Sequence, residues 1–304
     1  MQWSPTLSLS GNPGVAVRKL SPALILELSK FRIAVMASVT CAAGCIISAM
    51  PFTMAIVWAT LGILILSMGS LALNQWQERD IDARMPRTRN RPIPTGRISS
   101  EGALAVAFCL IVAGVLLLWF GAGPVSALLG WFALLWYNGV YTPLKRVSAF
   151  AVVPGALIGS IPPMAGWTAS GASLNDPALY AVALFFFIWQ VPHFWLLLFK
   201  YGKQYEEARL SSLTQVFSDE QMGRLTFMWI VATATVAVFL PLFGLSRSIP
   251  AFAGILAVSV WLVFSSAGML KPGLPESSYR AAFRNINVFA MTVMLLLSLD
   301  TLFG

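Results

Sequence analysis

Charge is scarce in this sequence. Only 11% of its 304 residues are charged and 58% are hydrophobic, whereas ordinary soluble chains are nearer a quarter charged. A soluble protein of this length cannot hide so much apolar surface, so the excess must face lipid. Polar residues do not alternate within the apolar runs, which excludes a barrel. Loops and open sheets are excluded from hydrocarbon because their backbone groups go unpaired. The remaining class is an all-α integral membrane protein. Cysteine is sparse and says little: Cys41, Cys45 and Cys109 lie in apolar helices. Cys41 and Cys45 share a helix face, a spacing open to a soft metal, but buried free cysteines usually pack as small apolar residues. Low-complexity tracts are missing. Residues 1–29 lack a signal peptide's order of charge, apolar core and cleavage site, and read as a cytoplasmic arm rich in Pro, Gly and Ser.

Long apolar runs are what the chain does have. A bilayer's hydrocarbon takes about 20 helical residues to cross. Nine runs meet that length approximately, at 31–49, 54–73, 103–121, 124–141, 150–170, 178–199, 225–244, 250–270 and 285–303. The spacing predicts nine transmembrane helices forming one domain over 30–304. With that count, every one of the 20 basic residues except Arg247 falls on one side. Basic loops stay in the cytoplasm, so the N-terminus and the polar loops are expected there and the C-terminus outside, in an inner or plasma membrane. The net charge of +8 is then topological. Its spread over membrane loops argues against a nucleic-acid partner.

The charges that remain are concentrated in NQWQERDIDARMPRTRNRPIPTG, residues 74–96. Asn74, Glu78 and Asp82 recur every four residues, so on a helix they form one stripe drifting slowly round the axis. Asp80 points elsewhere. An amide and two carboxylates at the end of an apolar span are hard oxygen donors facing one point. Mg²⁺ is held in this way, by one or two carboxylates plus substrate phosphates. Arg87, Arg89 and Arg91 follow, and guanidinium pairs with phosphate oxygens in two places. The competing reading is a wet loop in which Glu78, Asp80 and Asp82 pair with Arg79 and Arg84. Asn74 tilts the balance, because a buried polar group in a membrane is costly and tends to be functional.

Three other stretches carry polar chemistry. YNGVYTPLKR (137–146) ends a span with Tyr137, Tyr141, Lys145 and Arg146, either an interface anchor or part of a site. WQVPHF (189–194) places the only histidine, His193, inside a span beside Pro192, where a kink would free backbone groups. The 200–224 loop offers Tyr205 and Glu206 for a second metal or phosphate site, though a wet loop predicts the same letters.

Taken together, these strings resemble the UbiA superfamily of intramembrane prenyltransferases, and within it the branch that farnesylates protohaem IX. The 74–96 stretch is similar to that family's first Asp-rich motif and its MxRTRxRPxPxG run. YNGVYTPLKR, PGALIGSIPPMAGW and WQVPHFW match in order and spacing, and the likeness covers most of residues 30–200. The resemblance implies nine helices around a central cavity capped on the cytoplasmic side. It implies a Mg²⁺ cofactor held by Asn74, Glu78 and Asp82. Lys30, Arg32, Arg87, Arg89, Arg91, Lys145 and Arg146 would hold the diphosphate of farnesyl diphosphate; the SKFR stretch matches a family segment reading TKPR. Tyr141, with Tyr137, Trp189 and Phe194, would face the allylic cation. The implied acceptor is haem B, giving haem O, with His193, Tyr205 and Glu206 at the haem or a second site. The sequence departs from the pattern at Glu78, usually Asp, and at QYEEARLSSL, where the family reads approximately DYxxAGxPML. A quinone-precursor or other tetrapyrrole prenyltransferase and a non-catalytic haem or isoprenoid carrier are the alternatives.

Overall fold

A computed structural model describes residues 20–208, 211–271, 273 and 275–304. Arg18, Lys19 and Arg209, the side chains of Lys200 and Lys203, and most of the expected arm lie outside the described residues. Among the described residues every regular element is helical. They run α1 (Pro22–Leu28), α2 (Phe31–Ile47), α3 (Met54–Gln77), α4 (Arg79–Asp82), α5 (Ser100–Leu117), α6 (Pro124–Leu135), α7 (Thr142–Leu144), α8 (Val152–Gly155), α9 (Leu157–Ala169), α10 (Pro177–Glu207), α11 (Asp219–Phe239), α12 (Ile249–Ser266) and α13 (Glu276–Phe303). Wide π-helical turns extend α5 over Leu118–Ala122 and α6 over Trp136–Tyr141.

All nine apolar runs are helical. Among the described residues, six helices are long and apolar enough to cross a membrane, and α1 with α2, bent by 71°, makes a seventh candidate. The runs at 124–141 and 150–170 are broken into shorter pieces, so their status as spans rests on the sequence pattern. Residues 22–28 form a helix inside the stretch that reads as a loose arm. Ser21 caps it by accepting from the Leu24 N–H, and Pro22 takes the first position, where its missing N–H costs nothing. Pro192 does not end α10, which runs unbroken through it for 31 residues in all, from Pro177 to Glu207.

The lipid-facing surface is apolar: Phe108, Phe120 and Phe264 are 66%, 81% and 76% exposed. The chain is an integral membrane protein. Inside, α3 packs most extensively on α5, α2 packs on α9, and α10 packs on α9, α11 and α13. Small residues let α2 and α9 approach closely, as is usual where lipid supplies no hydrophobic drive. A Cβ added at Gly166 would fall on the Cys41 carbonyl, and one at Gly44 on the Pro163 carbonyl. Gly166→Val must therefore part α2 from α9. It is expected to destabilise the protein by roughly 1–3 kcal/mol or more, read as a lower thermal midpoint in detergent. Gly268→Ala, which meets nothing within 4 Å, should leave that midpoint unchanged.

Charged residues lie toward the bundle's two ends. At the end away from the 74–96 loop, Asp300 accepts from the Arg247 N–H at 2.6 Å and from the Ser246 hydroxyl at 3.0 Å. It ties the α11–α12 turn to α13.

Candidate active site

The helical path continues from α3 into α4. The Glu78 N–H donates to the Asn74 carbonyl at 3.0 Å, and the Asp82 N–H to the Glu78 carbonyl at 2.8 Å. Asn74, Glu78 and Asp82 therefore stack as the spacing requires, at 0%, 8% and 3% exposure. Asp80 is exposed.

Each member of the stripe has its own cation. Lys30 Nζ donates to Asn74 Oδ1 at 2.9 Å. Lys145 Nζ forms an ion pair with Glu78. Arg91 Nη1 donates to both Asp82 oxygens, at 2.7 and 2.8 Å. These are not the pairs of a wet loop. Arg79 instead lies over the Trp76 ring at 4.8 Å and donates to the Trp76 carbonyl at 2.8 Å, while Arg84 is exposed. Burial pushes the Glu78 carboxyl up, but Lys145 and Lys30 outweigh it and hold the group below the usual carboxylate range. A depressed acid stabilises the fold above its unfolded pKa, and that contribution is lost as pH falls through the lower folded value.

Backbone shape delivers these cations. Lys30 sits at the α1–α2 bend with φ of 47° and ψ of 50°, the left-handed region that costs a non-glycine residue about 1 kcal/mol or more. Gln75 Nε2 donates to the carbonyls of Glu27 at 3.1 Å and Leu28 at 2.7 Å, docking the end of α1 on α3. Arg97 grips the Glu27 carboxylate with two nitrogens, at 2.6 and 2.7 Å. On the other side, Asn74 Nδ2 donates to Thr142 Oγ1 at 3.1 Å. Asn138 receives the Ser70 hydroxyl at 2.7 Å and donates to Gln77 Oε1 at 3.0 Å. The π-helical turn at 136–141 is thus buttoned to α3, which sets Tyr141 and Lys145 over the acids. π-helical turns often accompany functional sites.

An aromatic wall descends from the cations. Lys145 Nζ lies 5.3 Å from the Tyr141 ring centre, Tyr141 stacks on Phe194 at 6.2 Å, and Phe194 meets His193 at 5.5 Å. Tyr137 joins Tyr141 at 5.7 Å, and Trp189 meets His193 at 4.8 Å. Beside Asn138 an apolar groove of ≈ 410 Å³ opens between α3, α5 and α6, lined by Leu73, Phe108, Ile111 and Trp131.

The second polar loop closes the same end. Met85 and Ile81 cluster with Ala208 and Tyr205. Burial raises the Tyr205 hydroxyl, Arg87 and Arg91 oppose that, and Glu78 and Asp82 add to it, so Tyr205 lies within electrostatic reach of the stripe. Arg87 covers the Tyr201 ring at 4.9 Å. Arg146 donates to the Gln77 carbonyl at 2.7 Å, and its own carbonyl accepts from Ser211 at 3.3 Å. Arg32 and Arg89 are exposed. Glu206 accepts from the Thr214 hydroxyl within its own loop. The structure therefore gathers Lys30, Asn74, Glu78, Asp82, Arg91, Tyr141, Lys145 and Tyr205. It places Arg32, Arg87, Arg89 and Arg146 farther out and leaves Glu206 turned away. His193 stands at the far end of the aromatic wall. Gln75, Gln77, Asn138 and Thr142 were missed by sequence reasoning. The rule that singled out Asn74, a polar side chain within an apolar span, also applies to Asn138.

The donor set suits a hard cation. Two carboxylates and an amide oxygen are buried together, and ammonium and guanidinium groups already occupy those oxygens. Among the described residues there is no cluster of three His, Cys, Asp or Glu side chains fit for a metal. One more buried acceptor, Gln204 Oε1, has no partner among the described residues, and it lies one turn before Ala208.

Comparison with known proteins gives the family. The model of the UbiA prenyltransferase family matches residues 34–287. The protoheme IX farnesyltransferase of Oleidesulfovibrio alaskensis is 35% identical over 281 residues, covering 91% of this chain and 95% of that protein. A solved digeranylgeranylglyceryl phosphate synthase superposes with a TM-score of 0.75 at 14% identity, over 92% of this chain and 98% of that one. A UbiA homologue from Archaeoglobus fulgidus, bound to GPP and Mg²⁺, gives 0.65 at 15% identity, over 90% and 99%. At those identities the two structures speak for the fold alone.

Proposed function

The chain belongs to the UbiA prenyltransferase family, and on that premise we propose that it farnesylates protohaem IX. The farnesyl group leaves farnesyl diphosphate and bonds to a vinyl carbon of haem B. Water adds to the neighbouring carbon as a hydroxyl and releases a proton, giving haem O and free diphosphate. One observation carries the reading: a buried stripe of acids, each paired with a cation, sits at one end of an apolar bundle above an aromatic wall. The name of the Oleidesulfovibrio relative supplies the acceptor.

Asn74, Glu78 and Asp82 would hold Mg²⁺ together with the diphosphate. The bound ion supplies charge neutralisation at the leaving group. Lys30, Lys145 and Arg91 exchange their carboxylate and amide partners for phosphate oxygens. Arg32, Arg87, Arg89 and Arg146 surround the entrance and raise the local concentration of an anionic substrate. As the allylic C–O bond lengthens, the fixed cations meet the growing negative charge without reorganising, the usual source of the largest catalytic term. The Tyr141 and Phe194 faces, with Tyr137 and Trp189 near them, stabilise the allylic cation and keep bulk water from it. The groove beside Asn138 takes the apolar farnesyl tail. His193 belongs to the acceptor side, and Tyr205 stands with the diphosphate end of the site. Glu206 serves its own loop and Gln204 takes the position of the family's acid there. The polar end faces the cytoplasm, as the basic loops require.

The test is a product analysis. Purified protein with farnesyl diphosphate, Mg²⁺, haem B and an aromatic quinone precursor should yield a haem heavier by a hydroxyethylfarnesyl-type addition, and no prenylated aromatic acid. Prenylation of the aromatic acid alone would move the acceptor assignment to the quinone branch.

A further inference from the structure

His193 is the only histidine in the chain, and its ring is locked. Trp189 lies 4.8 Å from it, Phe283 5.0 Å and Phe194 5.5 Å. The Trp189 indole is itself pinned, donating to the Ile286 carbonyl at 3.0 Å. Among the described residues one polar partner reaches the imidazole: Asn287 Oδ1 on α13, 2.9 Å from Nδ1. The orientation of that amide is set by chemistry. Asn287 Nδ2 lies 2.5 Å from the Phe283 carbonyl, which can only accept, so the NH₂ group must face it. Oδ1 then faces His193, and an amide oxygen can only accept. The neutral imidazole must carry its proton on Nδ1 and its lone pair on Nε2. Among the described residues Nε2 makes no hydrogen bond, and it is not among the sealed, unpaired polar atoms.

This tautomer discriminates between two ways of touching haem. A propionate is an anion and needs an N–H donor, which Nε2 lacks in this state. Ferrous or ferric iron is a Lewis acid and needs the lone pair that Nε2 presents. Resting on haem as the acceptor, we infer that His193 Nε2 ligates the haem iron of the substrate and that Asn287 is the positioning residue that fixes its tautomer. A hydrogen bond from the remote ring nitrogen is the usual device for orienting a ligating histidine and raising its basicity. The ring contacts that link His193 through Phe194 and Tyr141 to Lys145 put ligand and diphosphate site on one wall. Ligation would fix the porphyrin so that a vinyl edge is presented to the allylic cation, an orientation that apolar packing alone leaves free to rotate.

The test is resonance Raman spectroscopy of ferrous haem B bound to the full chain in detergent, run beside the product assay. The expected result is an iron–histidine stretch in the wild type. His193→Gly loses it and regains it with added imidazole. Asn287→Asp, which pulls harder on the Nδ1 proton, shifts the stretch to higher frequency and lowers the iron's midpoint potential. Asn287→Leu weakens haem binding by roughly 10–100-fold. A merely structural role for Asn287 would change haem content without moving the band. Conversion of haem B by wild type whose ferrous complex shows no iron–histidine stretch would overturn the inference and leave the proposed function standing. A band that persists in His193→Gly without imidazole would do the same. Wild type that neither binds haem nor forms product would sink both.

Discussion

Asp82→Asn lowers farnesyl transfer by roughly 10²–10³-fold, the range seen when one preorganised electrostatic group is removed from a dry site, and leaves the protein folded in the membrane. The substitution keeps the shape and a hydrogen-bond acceptor for Arg91, whose Nη1 now spans both Asp82 oxygens. It removes one of the two buried negative charges on the stripe. Folding survives because the α3–α4 turn is held by backbone bonds, and Thr88 Oγ1 donates to the Asp82 carbonyl at 3.0 Å, which the substitution leaves in place. Catalysis falls, because an amide is a far weaker partner for a divalent cation. Arg84→Ala provides the contrast. Arg84 carries a full charge in the same loop but is exposed, and its loss should change turnover little. Steady-state rates for both variants decide the matter. Equal, near-normal rates would return the 74–96 stretch to a structural ion-pair network.

The stripe itself was legible, because spacing by four is a local property of a helix, and the backbone bonds at Asn74, Glu78 and Asp82 realise it. Its partners were legible only as a set. Lys30, Lys145 and Arg91 all stood among the expected phosphate ligands, but nothing local said which cation meets which oxygen. Lys30 arrives from 44 positions away through a sharp bend and a left-handed residue, and no pattern in the apolar runs announces either. Arg91 is chosen over Arg79, Arg84, Arg87 and Arg89 by how the chain turns after α4, and composition treats those five alike. The helix at 22–28 did have a local signal, Ser21–Pro22, but the surrounding Pro, Gly and Ser read as loop. The π-helical turn at 136–141 had none, since a one-residue widening leaves apolar periodicity almost intact. Asn287 was invisible as a partner for His193, 94 positions away, because tautomers are set by tertiary contacts. The apolar runs were the most legible feature, since lipid imposes length and polarity on every helix that crosses it.

Removing Mg²⁺ should be as damaging as removing Asp82. Farnesyl diphosphate brings several negative charges toward two buried carboxylates. Near an effective dielectric of about 20, each unit like-charge contact at 4 Å costs about 4 kcal/mol. Lys30, Lys145 and Arg91 cannot offset that alone, because each is already committed to an oxygen of the stripe. On the proposed reading, Mg²⁺ held by those oxygens would free the three cations for phosphate. The measurement is a titration of purified protein with farnesyl diphosphate, once with Mg²⁺ and once with chelator. Binding that weakens by about 10²–10³-fold without the metal, and a metal effect that largely vanishes in Asp82→Asn, is the predicted result. Equal affinity with and without Mg²⁺ would contradict the account, leaving the buried acids as partners of their cations and nothing more.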